Sequence, residues 1–443
     1  MHDDLRRRAL ESKKTVSRKA QTKQPSVTSS RNSSPATSRN ASRAASRNPS
    51  DDESEMSDGT AWSTTSINDD AAFTAEDEVA PETLQGIIDT TVNDIVDRKR
   101  SSAEGREDRL NYFIHVLMAN YAQQELHSKL GDLVPALIKS VKGGQTERET
   151  ILAMKALALV LITSPSDSIY DAVSNPFRHI ISDSQEMNAK VAAIHALAAA
   201  TFYGGASLDE TQNVMDFYLE IVESDGESIE AGDHAEIVTA ALEEWGFLAT
   251  QMDEMEDTVE EPMEAFVEQL DSSDVHVQIA AGENIALMFE KSYTEREDDE
   301  EPEEHDEDEE EDPTAVNMVK RYTVYRRVDQ LEHKLSALSS ASSKRMSKKD
   351  RKSLHTNFAD ILNSVEHPTR GPRYSNAIDQ DTGKPYGSRM TVGISGKSRV
   401  IIDKWWKLHR LKALRRVLQG GFLTHYEKNE VVFDTLPVML EED

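Results

Sequence analysis

Three stretches of this 443-residue chain carry residue types suited to holding a base or a phosphate. The first is Lys404-Trp405-Trp406-Lys407-Leu408-His409-Arg410-Leu411-Lys412-Ala413-Leu414-Arg415-Arg416-Val417-Leu418, a basic helical pattern with two adjacent tryptophans. At 100° per residue, Leu408, Leu411, Leu414 and Leu418 form one apolar stripe. Trp405, His409, Lys412 and Arg416, spaced i, i+4, i+7, i+11, form another. This spacing predicts that the leucines dock the helix while the second stripe faces RNA. Trp405 would stack on a base and Lys412 and Arg416 would neutralise phosphates. Trp406, about 100° further round, is expected in the core. The competing reading is a surface helix whose tryptophans complete a small core, with its lysines as solubilising charge. The second stretch is a basic node containing Lys348, Lys349, Arg351 and Lys352, which suits an RNA-facing patch or a nuclear import signal.

The third stretch, Gly393-Ile394-Ser395-Gly396-Lys397-Ser398, is a near miss for a phosphate-binding loop. That loop needs a glycine five residues before the Gly-Lys-Ser glycine, and Thr391 stands there. No βαβ pattern surrounds it. The histidines show no paired ligand spacing, and no Gly-x-Ser-x-Gly elbow occurs. The reading is therefore a protein without enzymatic activity, cofactor or metal, and the sequence points to binding.

Composition narrows the kind of binding. The net charge is −31, but it is segregated: +9 over residues 1–50, −50 over 51–312 and +10 over 313–443. A basic end kept in so acidic a chain suits a polyanion or an acidic partner. There is no cysteine, which excludes disulfides, thiolate metal sites and a cysteine nucleophile, and fits a reducing compartment. The N-terminal charges are followed by no apolar stretch of the secretory type, and the longest apolar runs are too short for a bilayer. An intracellular protein, cytoplasmic and/or nuclear and away from membranes, is expected.

The elements that must position these residues follow from periodicity. Residues 1–80, rich in Ser, Thr, Arg and Asn, are expected to be disordered. Their spaced Arg-x-x-Ser steps (Arg31/Ser34, Arg39/Ser42, Arg43/Ser46, Arg47/Ser50) suit basophilic kinases. Residues 81–292 read as helix pairs. First helices are expected at Asp132–Val141, Ser166–Ser182, Asp209–Glu223 and Asp257–Leu270. Partners are expected at Glu147–Thr163, Glu186–Tyr203, Asp233–Thr250 and Val275–Glu290. The period of about 40 suits HEAT or armadillo units, and prolines 135, 165, 176 and 262 are expected near helix starts or turns. Residues 293–315 hold an acidic linker, with 15 acids in the 18 positions Glu295–Asp312. Residues 316–443 are expected to form a small basic domain: a helical stretch to about Val365, a loop from His367 to Gly387, short extended pieces near Met390–Val392 and Ser398–Ile401, and the tryptophan helix. The fold class is all-α, an armadillo/HEAT-like solenoid followed by this domain.

Three segments in order resemble the interferon-related developmental regulator family. They are Ile279-Ala280-Ala281-Gly282-Glu283-Asn284-Ile285-Ala286-Leu287-Met288-Phe289-Glu290, then Ser347-Lys348-Lys349-Asp350-Arg351-Lys352 with Phe358–Glu366, then the Trp405-Trp406 helix with Gly420-Gly421-Phe422-Leu423-Thr424-His425-Tyr426. The resemblance covers roughly residues 80–435. It implies an armadillo-like domain, a smaller C-terminal domain, no catalytic residues, and association with ribosomes and with transcriptional co-regulation. The serine/arginine-rich tail and the acidic run do not map onto that pattern. The expected function is a helical-repeat adaptor that binds RNA or the ribosome through its C-terminal domain and proteins through its repeat surface. The alternative is a nuclear transcriptional co-regulator acting through the repeats.

Overall fold

The computed structural model describes residues 81–98, 101–253, 255–296, 314–315, 317–340, 347–378, 385–395 and 398–437. The tail expected over residues 1–80 lies outside them, as does the acidic run from residue 297 to 313.

Helix pairs dominate, as the periodicity requires. The outer helices are α1 (Pro81–Val96), α4 (Leu130–Gly143), α6 (Ile169–Asp183), α8 (Leu208–Glu223) and α10 (Glu260–Gln269). Their inner partners are α2 (Ala103–Ala119), α5 (Glu147–Thr163), α7 (Met187–Tyr203), α9 (Ala235–Ala249) and α11 (Val275–Lys291). A short α3 (Gln123–His127) joins the first two pairs. Polar residues set the starts. Thr146 accepts the Glu149 N–H at 3.1 Å, Asp274 accepts those of His276 and Val277, and Ser207 and Glu210 form a capping box. Pro135 and Pro176 fall inside α4 and α6 rather than near their starts. Each lacks the N–H that would reach the carbonyl four residues back, at Gly131 and Ala172, and both of those residues are exposed to water.

The inner helices stack in succession and are buried almost all round. In α5 every residue from Ile151 to Thr163 is buried. A helix apolar on every side must be covered on every side. The outer layer covers one side, and the C-terminal end of the chain covers the other.

The array does not stop at the acidic run. Strands β1 (Tyr293–Glu295) and β2 (Met318–Lys320) pair antiparallel, Thr294 opposite Val319, and the Arg296 N–H donates to the Asn317 carbonyl at 2.8 Å. The two ends of the run are thereby held side by side. A sixth pair follows, α12 (Val328–Ser340) and α13 (Lys348–Glu366), and α13 stacks on α11. Gly282 permits that approach, since a Cβ there would stand 2.7 Å from Ile361 Cδ1. The structure therefore divides the chain differently from the expected boundaries. Among the described residues, α12 and α13 continue the stack beyond α11 within the span expected to be a separate domain. Two antiparallel hairpins come next, β3 (Tyr374–Ile378) with β4 (Pro385–Ser388) and β5 (Thr391–Ser395) with β6 (Ser398–Ile401). The loop expected from His367 to Gly387 thus contains β3 and most of β4. Helices α14 (Trp405–Leu418), α15 (Phe422–Lys428) and α16 (Glu430–Thr435) then return along the inner helices.

Candidate functional site

The tryptophan helix α14 runs along the inner layer from its C-terminal end towards its start. Its N-cap, Lys404, supplies no side-chain acceptor, and Glu290 of α11 takes that role. The Glu290 carboxylate accepts the Trp405 N–H at 2.7 Å and the Trp406 N–H at 3.1 Å. Burial raises the pKa of Glu290, against the pull of Lys404 and of those two N–H groups. The Trp405 indole N–H donates to Ser364 Oγ of α13 at 2.8 Å, and that hydroxyl donates to the Arg370 carbonyl.

One turn on, His409 lies over α9 and α11. A Cβ on Gly246 would stand 2.4 Å from the imidazole and 2.2 Å from Asn284 Oδ1, so only glycine fits there. Burial, aided by the charge of Lys412, lowers the pKa of His409 to about 3, and its ring is neutral. Lys412 bonds both oxygens of Glu283, at 2.6 and 2.5 Å. Arg416 is clamped between Glu244 and Glu243, the latter at 2.6 Å, and Glu244 also accepts from His195 Nδ1 of α7 at 2.6 Å. Arg410 donates to the Thr250 hydroxyl and carbonyl and to the Thr435 carbonyl, with its guanidinium 4.9 Å over the Trp406 ring. Beyond α14, His425 donates to the Leu117 carbonyl at 2.7 Å and Asn429 to that of Ile162 at 3.0 Å.

The expected RNA face of α14 is therefore turned inward, and its assignment is corrected. Trp405 is 2% exposed, His409 4% and Arg416 3%, while Trp406, expected in the core, is only partly buried. The reason is charge complementarity. The stripe Trp405, His409, Lys412, Arg416 meets Glu290, Glu283, Glu244 and Glu243 on the inner helices. The leucine stripe is buried as well, leaving Trp406, Arg410, Lys412 and Arg415 partly exposed. Sequence reasoning missed the four acids that receive α14. The available signal was carboxylates inside otherwise apolar runs, such as Ala281-Gly282-Glu283-Asn284.

The basic node is a separate site. Ser347 caps α13, accepting the Asp350 N–H at 3.0 Å; Lys352 is exposed, Arg351 partly buried, and the side chains of Lys348 and Lys349 lie outside the described atoms. Sixteen helical rises separate Lys348 from Ser364, where Trp405 binds, which is roughly 24 Å. The structure does not bring the node and the α14 stripe together.

The segment from Gly393 to Ser398 falls on the β5–β6 hairpin, with Gly396 and Lys397 outside the described residues. A strand follows it, so it has no helix N-terminus with which to hold a phosphate. This region instead presents an outward face. Burial alternates, with Met390, Val392 and Ile394 directed to the core and Arg389, Gly393, Arg399 and Ile401 exposed. Gly393 pairs with Arg399 and Thr391 with Ile401. The Arg389 guanidinium lies 5.5 Å over the ring of Tyr386, which is 52% exposed.

No helix among the described residues is long and apolar enough to cross a membrane. The family model for interferon-related developmental regulators matches residues 44–366, which takes in the whole helical array. An uncharacterized protein of Schizosaccharomyces pombe is 26% identical over 351 residues, covering 78% of this chain and 72% of its own. Interferon-related developmental regulator 1 of Homo sapiens is 22% identical over 377 residues, covering 81% and 72%, and its Mus musculus counterpart is similar to the same extent. With a family model matched over most of its length and these relatives aligned through its repeats, the chain belongs to the interferon-related developmental regulator family.

Proposed function

We propose that this protein is a non-enzymatic regulator that binds RNA, in the setting of the ribosome, through the outer surface of its C-terminal region. The observation that carries this reading is the separation of two sets of cations. Lys412 and Arg416 are consumed by acids of the inner helices, whereas Arg389 and Arg399 are displayed at the surface of the basic end of a −31 chain. Cations displayed in that way neutralise phosphates and release counterions, so binding must weaken steeply with salt. The inner groove is filled by the chain's own α14, so protein partners are assigned to the outer helices. Sedimentation of the tagged full-length protein, with and without RNase, tests the reading. Co-migration with ribosomal particles that is lost on RNase treatment and on raising salt is expected; migration as free protein under all conditions refutes it.

A further inference from the structure

We propose that Tyr386, Arg389 and Arg399 form a binding site for single-stranded RNA on the two hairpins. The proposal rests on the RNA reading above and gives it a location. The bases of the hairpins are tied together by the Ser388 hydroxyl, which bonds the Pro372 and Ile402 carbonyls at 3.1 and 2.8 Å, and the Ile402 N–H donates to the Met390 carbonyl at 2.9 Å, extending the β5–β6 ladder by one pair. Arg389 leads directly into β5, where alternation places it on the same outward side as Thr391 and Gly393. Arg399 sits opposite Gly393 in the β5–β6 register, and both are exposed. Tyr386 and Ile401 are among the few large apolar or aromatic side chains left exposed in the described residues. An exposed tyrosine already under a guanidinium offers a π-face on which a base can stack, with the arginine positioned for the phosphate. Neither Arg389 nor Arg399 has a carboxylate within ion-pair distance among the described residues, so both charges are available. From residue 369 to 404 the chain holds seven Lys/Arg against three Asp, reversing the sign of the acidic repeats. Duplex RNA presents its bases edge-on inside a stack, whereas this surface offers one aromatic platform and two flanking charges, which is the geometry of single-strand recognition.

The test uses the full-length protein, a short fluorescent oligouridylate and a duplex of equal length, titrated between about 50 and 200 mM salt. Tyr386→Ala is expected to weaken oligouridylate binding by roughly 5-fold or more, and Tyr386→Phe to retain it, because stacking needs only the ring. Arg389→Ala combined with Arg399→Ala is expected to lower the slope of log affinity against log salt by about 1.4, two phosphates at about 0.7 each. The melting temperature of all three variants should match the parent, because the side chains are exposed. If the parent binds and a variant combining Tyr386→Ala, Arg389→Ala and Arg399→Ala binds equally well, the site is wrong and the RNA reading stands elsewhere on the surface. Preference for the duplex overturns the single-strand assignment. Absence of RNA binding by the parent at the lowest salt removes both the site and the reading.

Discussion

Glu290 and Trp405 stand 115 positions apart in sequence, yet one serves as the N-cap of the other's helix. The α11 carboxylate takes the first two N–H groups of α14, a role usually filled by a residue next to the helix. The start of α14 is thus fixed by the array rather than by its own sequence, and its register along the groove is set from that point.

Replacing this acceptor should release the start of α14. In Glu290→Ala two buried N–H groups lose their partner, and an expected loss of about 1–3 kcal/mol follows from capping and unsatisfied-donor costs. Hydrogen exchange at Trp405 and Trp406 should accelerate more than exchange in α5. Equal protection of these amides in variant and parent would contradict the capping role.

His409 should make the protein acid-sensitive. Its folded pKa, lowered to about 3, lies below its unfolded value, so its contribution is complete above about pH 6.5 and is lost as pH falls towards 3. Across that window the slope from this group is about 1.4 kcal/mol per pH unit. Burial raises Glu283 and Glu290, which act in the opposite direction: their contributions fall as pH rises through the raised carboxylate range. Denaturation midpoints of the parent and His409→Asn, compared at about pH 7 and 4.5, should converge at the lower value. A constant gap would show that His409 does not titrate on unfolding.

Arg416 tests whether α14 works inside or outside. Arg416→Ala leaves Glu244 charged in the interior, which costs about 3–5 kcal/mol. Arg416→Met with Glu244→Gln removes both charges and should recover a large part of that loss, measured by chemical denaturation. Oligouridylate affinity, measured well below the unfolding transition, should not change in the double variant. A selective loss of RNA binding with full stability would restore the outward-facing assignment of this residue.

The acidic run should restrain RNA binding. Its C-terminal end is anchored beside the basic segment, since the Thr314 and Thr369 hydroxyls are bonded at 2.7 Å and the Thr369 carbonyl accepts from Lys404. A tethered polyanion competes at an effective concentration of roughly millimolar, and salt screens the contact. Deleting Glu297–Glu311 should tighten oligouridylate binding most at low ionic strength without changing helix content. Superimposable binding curves for the two proteins would rule out such competition.

The repeat architecture was legible because each unit repeats its own local instructions. Thr146, Ser207 and Asp274 start helices, Gly204 ends one, and the partner helices recur at an interval that sequence displays directly. The placement of α14 was not legible, because its amphipathic pattern contains two stripes and a helical wheel cannot say which of them meets a partner. That choice was made by Glu243, Glu244, Glu283 and Glu290, which are distant in sequence and resemble ordinary surface acids. The sixth repeat was hidden by a composition break at Glu295. A change in composition marks where residues cannot be buried, which differs from where an array ends. The β5–β6 pair was legible as short extended pieces near Met390–Val392 and Ser398–Ile401, whereas β3 and β4 were concealed in a Pro/Gly-rich stretch, as strands of five and four residues too short for alternation to stand out.

Linear helical arrays fold from neighbour to neighbour, and any stretch of them can form once it has been made. Here the last helices bridge α13, α11, α9, α7, α5 and α2, which makes the array one cooperative body rather than a chain of separable modules. Translation delivers the inner helices first and their cover last. Until Trp405–Thr435 has been synthesised, apolar residues and the four acids that α14 later meets stand uncovered. A stop codon before α14 would leave every repeat intact in sequence and none of them closed.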